Sequence, residues 1–257
     1  MVVVVLTIAI FVLPAYFLLS YLRGLSVIAY VLVGAFLLKS TLSVKALRRA
    51  ALRVKQLLEG GSLGRARVEV KTLVSRDTSR LDEPHLVSAT IESVAENTSD
   101  SFIAPLFFFL LFGVAGAIGY RVVNTLDAMI GYHGEYEYLG KFAARLDDGL
   151  NFIPARLSGL LLVAAAYLSP MSGKKAWWVM LRDHAKTESI NAGWPMSAVA
   201  GALRTRLEKV GHYRLGNANN PLFPQLIPSA VRLMGISALL WAGFCLIVEV
   251  MKFVFTA

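Results

Sequence analysis

The chain of 257 residues is 56% hydrophobic and only 17% charged, whereas about a quarter of residues are charged in ordinary soluble domains. Its apolar residues fall in runs, which excludes a large soluble core as their source and points to a membrane protein. The net charge of +9 is read as basic connections at a membrane surface, and nucleic acid is excluded as the partner.

Crossing a bilayer takes about 20 apolar residues, and residues 2–22, 25–42, 102–120, 152–169 and 230–254 approach that length. The stretch at 152–169 is weakest, because Arg156 lies in its first turns. The expected fold is all-α: a multi-pass membrane helix bundle of about four to five spans with polar helical connections, in one membrane domain over 1–257. The first stretch lacks a basic leader and a small-residue cleavage site, so it reads as a retained span rather than a signal peptide. Pro14 within it would free a carbonyl and kink the helix.

The connection from 45 to 101 is strongly basic, from Lys45, Arg48 and Arg49 through to Arg76 and Arg80. Its first part, VKALRRAALRVKQLLEGG, has apolar residues at helical spacing and ends in a Gly60-Gly61 stop. It reads as an amphipathic helix on anionic lipid or as a helical hairpin packed on the bundle, the latter being favoured. A second basic connection covers 170–229, and the positive-inside rule makes both cytoplasmic. Residues 121–151 are instead acidic, with Asp127, Glu135, Glu137, Asp147 and Asp148 against Arg121, Lys141 and Arg145. Simple alternation of spans puts them on the opposite side. The single cysteine, Cys245, reads as a small core or lipid-facing residue. The histidines, His85, His133, His184 and His212, lack metal-ligand spacing, and no phosphate-loop, dinucleotide or zinc-protease motif is present.

Four polar islands interrupt this pattern. In ESVAENTSD, Glu92, Glu96 and Asp100 stand at i, i+4 and i+8 on one helical face. Like charges on adjacent turns repel, so either basic side chains or a divalent cation such as Mg²⁺ should face them. In YRVVNTLDAMIGY, Asn124 and Asp127 share a side with Arg121 one turn earlier. They are functional candidates beside a span, or else an interfacial cap. In GKFAARLDDGLNFIPARL, Arg145, Asp148 and Asn151 share a side, Asp147 adjoins them and Arg156 follows Pro154. An arginine there either holds a carboxylate or phosphate or snorkels to lipid. In RDHAKTESINAGWPMSAVAGAL, Glu188 to Pro195 reads as a turn containing Asn191. The helix after it should begin with Pro195 and pack closely through its Ala and Gly face.

These islands, in this order and with APLF after the first and AGAL and LEK after the last, resemble the adenosylcobinamide-phosphate synthase (CobD/CbiB) family of cobalamin biosynthesis. The match covers most of 70–215. Family members usually begin with a further apolar helix carrying a Gly-Asp-Pro motif and a His-Pro pair, and neither occurs here; the chain begins near the family's second span. The resemblance implies a multi-pass cell-membrane enzyme that joins adenosylcobyric acid to 1-amino-2-propanol or its O-phosphate, with ATP and Mg²⁺, through an acyl phosphate. It implies further contact with membrane lipid and other cobalamin-assembly enzymes. Activating a carboxylate with ATP needs metal on the phosphates and cationic clamps. The assigned catalytic residues are then Glu96, Asp127, Asp148 and Arg145. Asn97, Arg121, Asn124, Asn151, Arg156 and Asn191 are assigned to substrate or ATP, and Glu92, Glu96, Asp100 and Asp147 to Mg²⁺. A corrinoid transporter with the acids as a cation or proton relay, or a non-catalytic membrane partner, are the rival readings. ATP is cytosolic, so the alternation conflict matters: either 102–120 or 152–169 fails to cross fully, or the islands meet in a polar cavity inside the bundle. The cavity is the preferred expectation.

Overall fold

The structure, a computed structural model, describes residues 1–130 and 137–256. His133, Glu135 and the side chain of Glu137 therefore lie outside the described residues. The helices in chain order are α1 (Val2–Leu25), α2 (Val27–Ser40), α3 (Val44–Glu59), α4 (Leu63–Lys71) and α5 (Glu83–Thr98). After a π-helical turn at Ser99–Ile103 come α6 (Ala104–Ile130), α7 (Glu137–Tyr167), α8 (Gly173–Asp183), α9 (Gly193–Leu203) and α10 (Ile227–Thr256). Two short strands, β1 (Arg206–Lys209) and β2 (Tyr213–Gly216), lie between α9 and α10. Among the described residues, five helical stretches are long and apolar enough to cross a membrane: Val2–Leu25, Val27–Glu59, Glu83–Met129, Gly140–Tyr167 and Pro224–Phe255. The chain is thus an all-α multi-pass membrane protein. Its contacts separate two compact units, Met1–Ser43 with Asp100–Pro154 and Ala242–Ala257, and Val44–Ser99 with Ala155–Trp241.

The first unit turns apolar side chains outward. Phe11 and Phe17 of α1, Ile28 and Phe36 of α2, and Phe253 and Phe255 of α10 are all exposed, as helices bathed in lipid rather than water require. Pro14 sits inside α1 without dividing it. Ser26 separates α1 from α2, and its hydroxyl caps α2 by accepting from the Ala29 amide.

The run 102–120 does not form one straight helix. Gly113 breaks α6 with φ 66° and ψ −160°, a backbone region essentially reserved for glycine. The rings of Phe108 and Tyr120 are stacked with centroids 5.3 Å apart. A straight helix would separate those positions by about 18 Å. Residues 104–112 and 114–130 are therefore two arms folded back on each other. Gly116 stands where they meet; a Cβ there would lie 2.6 Å from both Phe108 O and Phe112 Cβ.

The second unit has a conventional apolar core. Leu47, Ala51, Val54, Leu57 and Leu58, the apolar stripe of α3, are buried in it, so the packed-hairpin reading of 44–61 holds. Leu162, Val163, Ala165 and Ala166 of α7 and Ile227, Leu233 and Met234 of α10 belong to the same core. Gly201 of α9 faces α8, where a Cβ would lie 2.8 Å from Ala176 Cα and from Val179 Cβ. The small-residue face thus does allow close packing. The helix begins at Gly193, with Pro195 two residues later rather than first. The antiparallel hairpin of β1 and β2, in which Leu207 pairs with Leu215, was not anticipated.

Candidate active site

In the first unit, the folded-back α6 and the first half of α7 join several of the predicted residues in one chain of hydrogen bonds. Asp147 is its centre. Asn151, one turn later on α7, donates its amide to Asp147 Oδ2 at 2.9 Å. Asn124 on α6 donates to Asp147 Oδ1 at 3.3 Å. Arg121 in turn donates to Asn124 Oδ1 at 3.4 Å, the contact its i, i+3 spacing allows. At the other end the Tyr120 hydroxyl donates to Asn151 Oδ1 at 2.9 Å and lies 3.3 Å from Asp100 Oδ1. Asp127 and Asp148 interact electrostatically with Asp147. Among the described residues Asp147 has amide partners but no ion pair. Sequence reasoning missed Tyr120, since a lone tyrosine ending an apolar run looks like an interfacial anchor. The buried ring holds its hydroxyl between an acid and an amide.

Asn151 thus bonds to Asp147, one turn earlier on α7. Arg145 is exposed and takes no part in this chain of bonds.

In the second unit, Glu92, assigned to Mg²⁺ from the sequence, is held by side chains of the fold. Only 4% exposed, it accepts from Arg76 Nη2 at 2.8 Å, Ser88 Oγ at 2.6 Å and Tyr213 OH at 2.9 Å. Ser88 Oγ also accepts from the Glu208 amide at 2.8 Å, so the carboxylate ties α5 to the strand hairpin. Burial and the adjacent Glu92 carboxylate push the Tyr213 phenol well above its ordinary value, keeping it a donor. Glu92 and Glu96 share the expected face of α5 and both act electrostatically on Tyr213, Glu92 buried and Glu96 exposed, whereas the π turn at Ser99–Ile103 interrupts the helical period before Asp100. Asn97 spends its amide on its own helix, donating to Ser93 O at 3.0 Å. Among the described residues no three Asp, Glu, His or Cys side chains gather to hold a metal ion.

Arg156 is better held than its position in an apolar run suggested. Its Nη1 donates to Asn191 Oδ1 at 3.2 Å, and its guanidinium lies 5.1 Å from the centre of the Trp194 ring. The His184 ring packs on the same indole with centroids 4.0 Å apart, and His184 Nδ1 lies 3.1 Å from Met180 O. A carbonyl can only accept, so Nδ1 carries a proton. Gly193 is required beside them, because a Cβ there would overlap His184 O. Trp194 and His184 escaped the sequence reading because nothing in the spacing pairs them with Arg156.

The family described as CobD/Cbib protein matches residues 1–234 of the chain. The chain is 54% identical over 240 residues to "Cobalamin biosynthesis protein CobD" of Dehalococcoides mccartyi, an alignment covering 93% of this chain and 78% of that one. It is 42% identical over 258 residues to "Probable cobalamin biosynthesis protein CobD" of Methanothermobacter thermautotrophicus, covering 95% and 84%. It is 45% identical over 189 residues to a protein of the same description from Methanocaldococcus jannaschii, covering 73% and 61%. No solved structure matches the chain.

Proposed function

We propose, for a chain that belongs to the CobD/CbiB family, a role in cobalamin biosynthesis as an ATP-dependent amide ligase. Its substrates are adenosylcobyric acid and 1-amino-2-propanol or its O-phosphate, and its product is adenosylcobinamide or its phosphate. The observation that supports this reading is Asp147. Both of its oxygens are oriented by amides, it has no ion pair among the described residues, and Asp127 and Asp148 stand near it. An acid kept in that state beside like charges suits a cationic ligand. Glu92, locked by Arg76, shows the contrasting structural arrangement.

The chemistry begins with a propionate oxygen of the corrinoid attacking the γ-phosphorus of ATP. The bond to the bridging oxygen breaks and ADP leaves, giving an acyl phosphate. The amine then attacks the acyl carbon, and phosphate leaves with the carbon–oxygen bond pair. Two protons must leave the ammonium nitrogen overall. Asp127, Asp147 and Asp148 attract the ammonium and accept one of them, and the departing phosphate takes the other. Arg156, bonded to Asn191 and lying near the Trp194 ring, is assigned to a carboxylate or phosphate, which a guanidinium recognises through paired hydrogen bonds. Arg121 orients Asn124 and through it Asp147. Mg²⁺ commonly binds through one or two carboxylates plus substrate phosphates, and the hard oxygens of Asp147, with those of Asp127 or Asp148, fit that requirement. Bound there, it would neutralise phosphate charge.

The test uses purified protein with adenosylcobyric acid, ATP, Mg²⁺ and both amines in competition, with products read by mass spectrometry. The expected result is an amide product formed together with ADP. ATP consumption that does not depend on corrinoid and amine, or corrinoid flux across liposomes without ATP use, would overturn the proposal.

A further inference from the structure

We infer that residues 104–130 form a re-entrant hairpin, which enters and leaves the membrane on one face. Asp100, Asp127 and Asp147 would then open to the same side as the basic connection 44–99. The outgoing arm, residues 104–112, rises only about 13 Å, less than half of a hydrocarbon core of about 30 Å. Gly113 reverses the chain at its tip. The returning arm brings Tyr120 back to Asp100, twenty positions earlier, with the hydroxyl 3.3 Å from Oδ1. A straight helix would place these residues about 30 Å apart.

The tip is built for lipid. A helix that stops leaves its last carbonyls without amide partners, and none can stay unsatisfied in hydrocarbon. Lys252 of α10 donates its ammonium to Leu110 O at 2.8 Å, a cation at the C-terminal end of the arm where the helix dipole favours one. Val114 packs on Gly34 of α2, and Gly119 faces Val12 of α1. The base is fixed as firmly. The Ser43 amide donates to Ser101 O at 3.2 Å, and the Ser43 hydroxyl to Ser101 Oγ at 3.0 Å. Ser43 immediately precedes the basic connection, so that connection leaves the membrane region where the hairpin begins. The returning arm therefore delivers residues 121–130 to the basic, cytoplasmic side. Simple alternation fails because 102–120 turns back, and no polar cavity is needed to bring the acids to cytosolic ATP.

The inference is independent of the ligase reading and has its own test. In a Cys245→Ala background, single cysteines replace Gly24, Arg80 and Met129, all exposed. Sealed membrane vesicles of each orientation are treated with a membrane-impermeant maleimide. Met129→Cys is expected to react in the same vesicles as Arg80→Cys, and Gly24→Cys in the opposite ones. Reaction of Met129→Cys together with Gly24→Cys, or in detergent alone, would overturn the inference. A second measurement keeps it falsifiable if labelling variants misfold. The pair Phe108→Cys and Tyr120→Cys should close an oxidative crosslink in membranes, shifting mobility on a gel. A straight span forbids that bond, and absence of the crosslink in folded protein would equally refute the hairpin.

Discussion

Replacing Glu92 by alanine should unfold the protein more easily without removing a reacting group. The residue is 4% exposed, and its carboxylate accepts three hydrogen bonds, from Arg76, Ser88 and Tyr213. Glu92→Ala leaves the Arg76 guanidinium, whose side chain is only 17% exposed, without its counter-charge. Arg76 Nε already lacks a partner, so the group has little to fall back on. Removing one member of a buried pair costs about 3–5 kcal/mol, and the residual exposure of Arg76 argues for the lower end, about 3 kcal/mol. For a chain of this size that corresponds to a fall in Tm of roughly 6–12 °C. The pair should also be more replaceable than either member alone. The double variant Arg76→Met with Glu92→Met should recover most of the loss, because apolar groups of similar volume remove both desolvated charges. The assay is thermal unfolding in detergent beside the ligation assay at low temperature. A Glu92→Ala protein melting within about 2 °C of wild type but lacking turnover would refute the structural assignment and restore Glu92 to the chemistry.

Asp147→Asn preserves size and removes the charge held by Asn124 and Asn151; ligation should fall by about 100-fold or more, with Tm little changed, as product mass spectrometry and melting will show. Arg156→Lys should lose most of the corrinoid or ATP affinity despite keeping the charge, because an ammonium cannot present a flat fork; the measure is KM against kcat for each substrate. Asp183, with no exposed side-chain area, would be raised by burial alone, but hydrogen bonds from Arg182, Lys186 and the Gly216 amide hold it at about 2. Its folded value lies below the ordinary carboxylate range near 4, so it contributes stability above about pH 4, and that contribution fades as pH falls toward 2. The stability gap between wild type and Asp183→Asn, read by melting across pH, should therefore be widest above pH 4, at about 2 kcal/mol, and narrow below it. Gly201→Ala should cost about 1–3 kcal/mol by overpacking, because Ala176 and Val179 leave no room for a methyl group; thermal melting reads it directly.

The membrane class and the positions of the apolar stretches were legible in the sequence because runs of apolar residues have few other uses. The burial of α3 was legible too, since its apolar residues recur at helical spacing and its end carries a glycine stop. The hairpin in α6 was not. Hydropathy sums residues along a line, and Gly113 counts there as one mildly apolar residue in a good run. Its positive φ becomes visible only when Tyr120 is found beside Asp100. The strand hairpin was hidden for a related reason. Each strand has four residues, too few for alternation to stand out, and their pairing depends on Gly211 and Gly216 taking φ of 79° and 82°.

The acids show most clearly where spacing stops being informative. Glu92, Asp147 and Asp183 all lie in polar helical sequence, and nothing in their periodicity separates them. Their partners do. Glu92 meets Arg76, and Asp183 meets Arg182 and Lys186, so each has a matched cation within the fold. Asp147 meets two asparagines, which orient a carboxylate without neutralising it. The two arrangements serve different ends. An ion pair offsets the desolvation of its members and contributes to the fold, whereas an amide-held acid beside other acids retains a field that a cationic ligand can satisfy. The partners of the first kind can lie far away in sequence, as Tyr213 does from Glu92, and so escape any local pattern. Those of the second kind, Asn124 and Asn151, stand in two different polar islands, and no spacing along one helix joins Asn124 to Asp147.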